Sequence, residues 1–345
     1  MALRPLVLER VQIAGSGLAG LTAANALADA GHRVEVLERK TSLLPSSGPH
    51  SEGIRNYRSV DALTELRSFG FDLQPFSTIT RTIRHSPRFR NALLGPAHYL
   101  FMRGRDEHTV DQVLYHRALA AGVKFRFGEA ADPSEVDIAA SGPPTDDFNI
   151  LGAGFTFSAD GSRLAPDTAH ALFDEDVAPG GYLVITPGIP FHSIYSVSWK
   201  ELRYEPLLSL LEGALEIPWI KELLGTSHRV GKIHGRALFA KDPIASAETG
   251  GTFLIGEAGG FQDAVAGFGF RHAVISGALA ARAIHLGDDY RGLLRKVYGN
   301  EFLEAFLFRE KLNRCTNDDY DSMIGSLGPE ITLEEYTKRR ESRGF

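Results

Sequence analysis

Three glycines, Gly15, Gly17 and Gly20, sit between a short apolar run, Val11 to Ala14, and an alanine- and leucine-rich segment, Leu21 to Ala30. In that order the chain can bring backbone N–H groups up to a pyrophosphate. A tight turn, a close backbone approach and a helix packed near its strand each require a missing side chain. The helix start at Leu18 and Ala19 offers unpaired N–H groups and the positive end of its dipole. Arg33 to Glu38 alternates apolar and polar residues and ends on an acid 18 residues after Gly20. A carboxylate there can accept hydrogen bonds from both hydroxyls of a ribose, with Arg39 beside it. The pattern predicts a βαβ unit that binds a dinucleotide. The plain alternative is a glycine turn that binds nothing.

Further on, Thr252 to Ile255 reads as a buried strand feeding Gly256-Glu257-Ala258-Gly259-Gly260. Ala264, Gly267 and Gly269 follow, then a small-residue helix from Phe270 to Ala283 containing Ser276 and Gly277. Taken with the first turn, this resembles the geranylgeranyl reductase branch of the FAD-dependent reductases and monooxygenases, a group that includes aromatic hydroxylases and flavin halogenases. The resemblance implies FAD, with the acid at position 257 on the ribityl hydroxyls and the glycines admitting the flavin. Glu257 stands where the family has aspartate, and Ala264 where it has proline.

Other segments carry the resemblance less tightly. Ala178-Pro179-Gly180-Gly181-Tyr182 is similar to the proline-glycine-tyrosine strand on the substrate side of the flavin; a Pro-Gly turn alone explains it equally. Arg103-Gly104, ahead of Asp111 and Leu114, resembles the arginine that reaches the pyrophosphate. Arg105 competes for that role, and either reads as well as a solvated surface residue. Gly48-Pro49-His50-Ser51-Glu52-Gly53-Ile54 falls where reductases of this branch carry Cys-Gly-Asp-Gly-Ile. His50 replaces the cysteine, and a histidine beside a flavin can donate a proton near neutrality; the bland reading is a loop histidine. The catalytic candidates are therefore His50, Tyr182 and Asp263. The family's Asp-Gly stretch is replaced by Ala140-Ser141-Gly142-Pro143, and the span from Phe127 to Val136 is too short for its β-meander, so a trimmed member is expected.

The elements that must hold these residues follow from periodicity. Val110 to Ala121 reads as a helix, Val123 to Phe127, Val136 to Ala140, Gly181 to Thr186 and Ser193 to Trp199 as strands, and Leu207 to Leu224 as a helical insert. Thr78 to Met102 reads as short β pieces broken by Pro87, Gly95 and Pro96. Leu293, Leu294, Val297, Phe302, Phe306 and Leu307 recur at helical spacing, which predicts packing. The fold class is α/β, an FAD-binding, Rossmann-like three-layer domain with a second, mainly antiparallel β substrate domain and C-terminal helices. The expected division is residues 1–75, 103–145 and 245–285 for the first, 76–102 and 146–244 for the second, and 286–345 for the helices.

The chain has 345 residues, 43% of them hydrophobic and 23% charged, enough for one or two domains. Its net charge of -6 gives no field for a polyanion, so a small-molecule substrate is expected and nucleic acid is not. The single cysteine, Cys315, forms neither an internal disulfide nor a CxxC pair nor a thiolate metal cluster, and no metal site is expected. Redox chemistry must then come from a bound cofactor. Only one dinucleotide fingerprint is visible, so NAD(P)H, if it is the electron donor, binds transiently. Arg4, Pro5, Glu9 and Arg10 interrupt any signal-peptide core, and no apolar run spans a bilayer. A cytoplasmic location is expected, with peripheral membrane contact left open and oligomeric state unspecified. The expected activity is hydride transfer to or from a carbon-carbon bond of a small apolar substrate, an isoprenoid or secondary metabolite. Its rivals are monooxygenation, a flavin-binding protein without turnover, and an NAD-dependent dehydrogenase without flavin.

Overall fold

A computed structural model describes residues 10–43, 50–143 and 147–342. Gly48, Pro49 and most of the N-terminal segment read above lie outside the described residues. The chain begins β1 (Val11–Ala14), α1 (Leu18–Asp29), β2 (Val34–Glu38), β3 (His50–Arg55), α2 (Ala62–Ser68), β4 (Ser77–His85), β5 (Arg90–Arg103) and α3 (Val110–Ala120). It continues through β6 (Lys124–Phe127), β7 (Ile138–Ala139), β8 (Ile150–Ser158), β9 (Thr168–Leu172), β10 (Tyr182–Thr186), β11 (Phe191–Ser198), α4 (Tyr204–Ala214), α5 (Pro218–Leu224) and β12 (Arg229–Ala237). After β13 (Glu248–Thr249) and β14 (Thr252–Leu254) come a single 3-10 turn (Gly256–Gly259) and α6 (Phe270–Leu286). The last elements are α7 (Tyr290–Tyr298), α8 (Glu301–Leu312), α9 (Asn317–Gly325), β15 (Glu330–Thr332) and α10 (Leu333–Ser342).

Two sheets organise these elements. The first has the order β13-β14-β7-β1-β2-β6 and is parallel except at its β13–β14 edge. Its central strands, β1, β2 and β7, are short and mostly buried because both faces are covered, and α1, α3 and α6 contribute Leu21, Leu27, Leu114 and Val274 to its core. The second sheet has the order β12-β8-β11-β10-β9-β4-β5-β15, with β3 also on β5. It is antiparallel apart from the β4–β9 and β5–β15 pairs. Leu207, Leu211 and Ile220 from α4 and α5 cover one of its faces. Among the described residues no helix is long and apolar enough to cross a membrane.

Several local readings change. The stretch expected as broken β pieces is one long hairpin, β4–β5. Gly95, at φ +125°, and Pro96 sit at an irregularity where the register shifts between Ile79 and Arg81, so the strand absorbs them as a bulge. The helical insert is two helices, divided where Pro218 begins α5. The segment carrying His50 is a strand, pairing residue for residue with β5 from His50–Arg103 to Arg55–His98. The C-terminal stretch is not wholly helical, since β15 adds to the edge of β5. Leu307, expected to pack, is 53% exposed, whereas Leu293, Leu294 and Phe302 are buried.

Candidate functional site

The first glycine turn divides its steric work among its three glycines. Gly15 has φ +102°, and a Cβ there would stand 2.3 Å from the carbonyl oxygen of Ala140. A Cβ on Gly20 would stand 2.1 Å from the carbonyl oxygen of Gly15. Gly17 caps α1 with no side-chain hydrogen bond, and a Cβ there would meet nothing within 4 Å. Two glycines thus close the turn onto α1 and β7, while the third leaves open space at the helix N-terminus, where an anion is attracted.

Glu38 is 8% exposed and already engaged. Its carboxylate accepts from the Ser16 N–H at 2.8 Å, the Ser16 hydroxyl at 2.8 Å and the Lys40 N–H at 3.0 Å. Burial alone would raise its pKa, but these donors hold it below the usual carboxylate value. The acid therefore ties β2 to the glycine turn, a role that spacing alone did not disclose. Arg39 is exposed beside it.

The second glycine motif packs onto the first. A Cβ on Gly256 would stand 2.9 Å from the Cβ of Ala19, and one on Gly277 would stand 2.6 Å from the carbonyl oxygen of Ala19. The Ser276 hydroxyl accepts from the Gly256 N–H at 2.9 Å and donates to the His272 carbonyl. Gly269 precedes α6, where a Cβ would collide with Gln262 at 2.2 Å; Gly267, at φ +72°, lies over Trp199. Phe270 is turned inward onto Phe101 at 4.7 Å, so only its backbone can face a ligand. Ala258 is half-buried within the 3-10 turn.

Charge gathers beside this turn. Arg103 donates to both oxygens of Asp111, at 2.6 and 2.7 Å, and also to Glu52. Three of its five N–H donors are thereby used, leaving two. Arg105, its competitor in the sequence, is exposed. The Glu257 carboxyl has no hydrogen-bond partner among the described residues. Burial first and Glu52 second push it up to about 8, against the pull of Arg103.

The three catalytic candidates occupy two places. Tyr182 donates its hydroxyl to the Ala266 carbonyl at 2.5 Å, and burial raises its pKa well above the ordinary phenol value. Asp263, 6% exposed, pairs with Arg55 at 2.9 Å and accepts from the Val265 N–H. Both therefore brace the loop between Gly260 and Gly269. His50 begins β3, and Arg55 ends it, about 16 Å further along an extended strand.

One residue read only as part of a packed helical tail belongs here. Arg309 of α8 is 2% exposed, lies over the Trp199 ring at 4.5 Å, and donates to the carbonyls of Gly180 at 2.7 Å and Val265 at 3.3 Å. It joins the Pro-Gly-Gly-Tyr turn to the second glycine loop. A lone arginine among apolar helix positions was its signal in the sequence.

A family model described as an NAD(P)-binding Rossmann-like domain matches residues 13–47. No curated protein sequence matches the chain. Among solved structures, a geranylgeranyl bacteriochlorophyll reductase-like protein from Thermoplasma acidophilum superposes with a TM-score of 0.75 at 17% identity, covering 94% of this chain and 93% of its own. A flavin-dependent brominase superposes with a TM-score of 0.63 at 16% identity, over 95% and 92% of the two chains. The myxobacterial chondrochloren halogenase, an FAD-dependent enzyme, gives 0.63 at 19% identity over 97% and 90%. The chain shares the fold of these three proteins. The shared fold covers nearly the whole chain, including residues 128–250 where the sequence motifs are sparse, and the resemblance expected from the glycine motifs holds at the level of fold.

Proposed function

We propose that the chain is an FAD-dependent oxidoreductase that transfers hydride to or from a carbon-carbon bond of a small apolar substrate. The observation that carries this reading is the docking of Gly256 and Gly277 on Ala19, which brings both glycine motifs together at the start of α1. A lone Rossmann turn serves many nucleotides; a second glycine loop packed on its helix has the form suited to the far end of a longer cofactor. The open space at Gly17 fits a pyrophosphate, and the turn residues Gly15 to Gly20 would supply its N–H donors. Glu38 and Arg39 would flank the ribose, the two remaining donors of Arg103 would face phosphate, and Glu257 the ribityl hydroxyls. Backbone from Gly256 to Ala258 and from Gly267 to Phe270 would border the ring. FAD, when bound, supplies the hydride acceptor or donor.

The reductase-like neighbour supports hydride transfer as the reaction type, and NAD(P)H would serve as a transient donor. Of the proton-handling candidates, Tyr182 and Asp263 are committed to holding the loop, so His50 is the residue assigned to move a proton near the substrate. General acid-base assistance is worth on the order of a hundredfold in rate. His50→Ala should slow turnover by about that factor while flavin stays bound; turnover within a few fold of the parent would remove His50 from the mechanism. The reading as a whole is tested by the absorbance of the purified protein and by NAD(P)H oxidation with and without oxygen. Protein that takes up no flavin when FAD is supplied would refute it.

A further inference from the structure

A cavity of about 130 Å3 lies between β3, the loop from Asp263 to Phe268, and helices α6, α8 and α10. Tyr57 and Phe268 give it aromatic walls, and four guanidinium groups, Arg55, Arg58, Arg271 and Arg340, reach it. Three of the four have counter-ions. Arg55 pairs with Asp263 at 2.9 Å, and Arg58 with Glu301 at 2.6 Å. Arg271 grips both oxygens of Glu65 at 2.6 Å and also Glu301. Arg340 pairs with no carboxylate among the described residues. Burial and the nearby Arg55 both disfavour its charge.

Two neighbours add buried polar atoms without partners among the described residues, one on a cation and one on a histidine that burial keeps neutral. Behind Tyr57, Arg84 is 6% exposed, bonds to Asn91 rather than to an acid, and has a buried Nε without a partner among the described residues. His272 lines the cavity, is 5% exposed, and its Nδ1 is likewise without a partner there. Arg55 and Arg340 thus share one buried carboxylate, Asp263, which is already paired with Arg55. Glu301 is taken by Arg58 and Arg271, and Glu304 stands exposed at the rim. Positive charge partly withdrawn from water without a paired counter-ion is costly, and an incoming anion relieves that cost; Arg340 is half-buried.

We propose that this cavity is a binding site for a small oxyanion, the carboxylate or phosphate head group of the substrate, anchored by Arg340 and Arg55. The planar guanidinium fork matches both groups. The volume is roughly that of a cavity that admits one benzene ring, so it takes a head group and a short adjoining part, not a long chain. Phe268 packs against β3, with a ring carbon 3.0 Å from where a Gly53 Cβ would stand. An occupant therefore touches the loop that the proposed function sets beside the flavin. The assignment of the occupant as substrate rests on that function; the anion site itself rests on the cavity.

The test is titration calorimetry of the purified protein at low ionic strength with sodium benzoate and, separately, inorganic phosphate, with flavin content read from absorbance. Saturable binding of at least one anion is expected, weakened tenfold or more (about 1.4 kcal/mol) by Arg340→Gln and partly restored by Arg340→Lys. Lys338→Gln, which removes an exposed charge paired with Glu334 on the same helix, should leave it unchanged. Binding of benzoate alone assigns a carboxylate, and of phosphate alone a phosphate. Absence of saturable binding of either at about 10 mM, or affinity indifferent to Arg340→Gln in a folded variant, overturns the site. Phosphate binding that is lost in Gly17→Ala but survives Arg340→Gln belongs to the glycine turn and overturns it equally. Arg340-dependent binding in protein that cannot take up flavin upholds the anion site and defeats the flavin reading alone.

Discussion

Gly277 of α6 meets Ala19 of α1 so closely that a Cβ on Gly277 would lie 2.6 Å from the Ala19 carbonyl oxygen. Backbone cannot yield as a flexible side chain would, so the two helices must part to admit even a methyl group. Replacing glycine by alanine inside a helix gains up to about 1 kcal/mol in propensity, whereas overpacking of this kind costs about 1–3 kcal/mol. Gly277→Ala should therefore lower stability in urea denaturation. Gly213→Ala in α4, where a Cβ meets nothing within 4 Å, should leave stability equal or slightly raised. Equal responses of the two variants would contradict the contact.

The glycines of the first turn should separate folding from binding. Gly20→Ala puts a methyl against the Gly15 carbonyl and should destabilise the protein with or without flavin. Gly17→Ala, at φ -70° with open space around it, should keep the melting temperature of flavin-free protein and lose flavin retention. Full flavin occupancy in purified Gly17→Ala would show that the pyrophosphate does not sit there.

Glu38→Ala should cost stability as well as any ligand affinity, since it leaves the buried Ser16 N–H without its acceptor, a loss of about 1–3 kcal/mol. The folded pKa of Glu38 lies below its unfolded value of 4.5. Its contribution is complete above that value and is lost as pH falls through the folded pKa. The gap in melting temperature between parent and Glu38→Ala should accordingly narrow in the acid range; a gap constant with pH would remove the charged hydrogen bonds from the account.

Glu257 has the opposite sign. Its folded pKa, raised to about 8 by burial and by Glu52, exceeds the ordinary 4.5. Its contribution is complete below pH 4.5 and is lost as pH rises through about 8, because the unfolded chain releases the proton first. In flavin-free protein, Glu257→Gln should gain on the parent in melting temperature as pH rises across that window. Parallel melting curves for the two would mean that Glu257 is ionised in the fold.

How much of this was legible beforehand depended on the range of each interaction. Gly15, Gly17 and Gly20 with their strand and helix could be read directly, because the turn is built from neighbours and its steric needs are stamped on residue type. The Gly256 to Gly277 motif was readable for the same reason. The roles of Glu38, Arg103 and Arg309 were not. A carboxylate at a strand end suits a ribose equally well in any chain, and only the fold brings Ser16 under Glu38, Asp111 and Glu52 onto Arg103, and the Gly180 and Val265 carbonyls onto Arg309. The reading of residues 78–102 as fragments had a similar cause, since Gly95 and Pro96 signal a break locally while the cross-strand register absorbs them as a bulge. The local chemistry of the two glycine loops and the class of fold that presents them could be read from residue types and spacing. Only the tertiary structure settled which charges find partners and that Arg340 reaches a cavity without forming an ion pair among the described residues, because charge pairing here joins residues far apart in the chain, which no local pattern encodes.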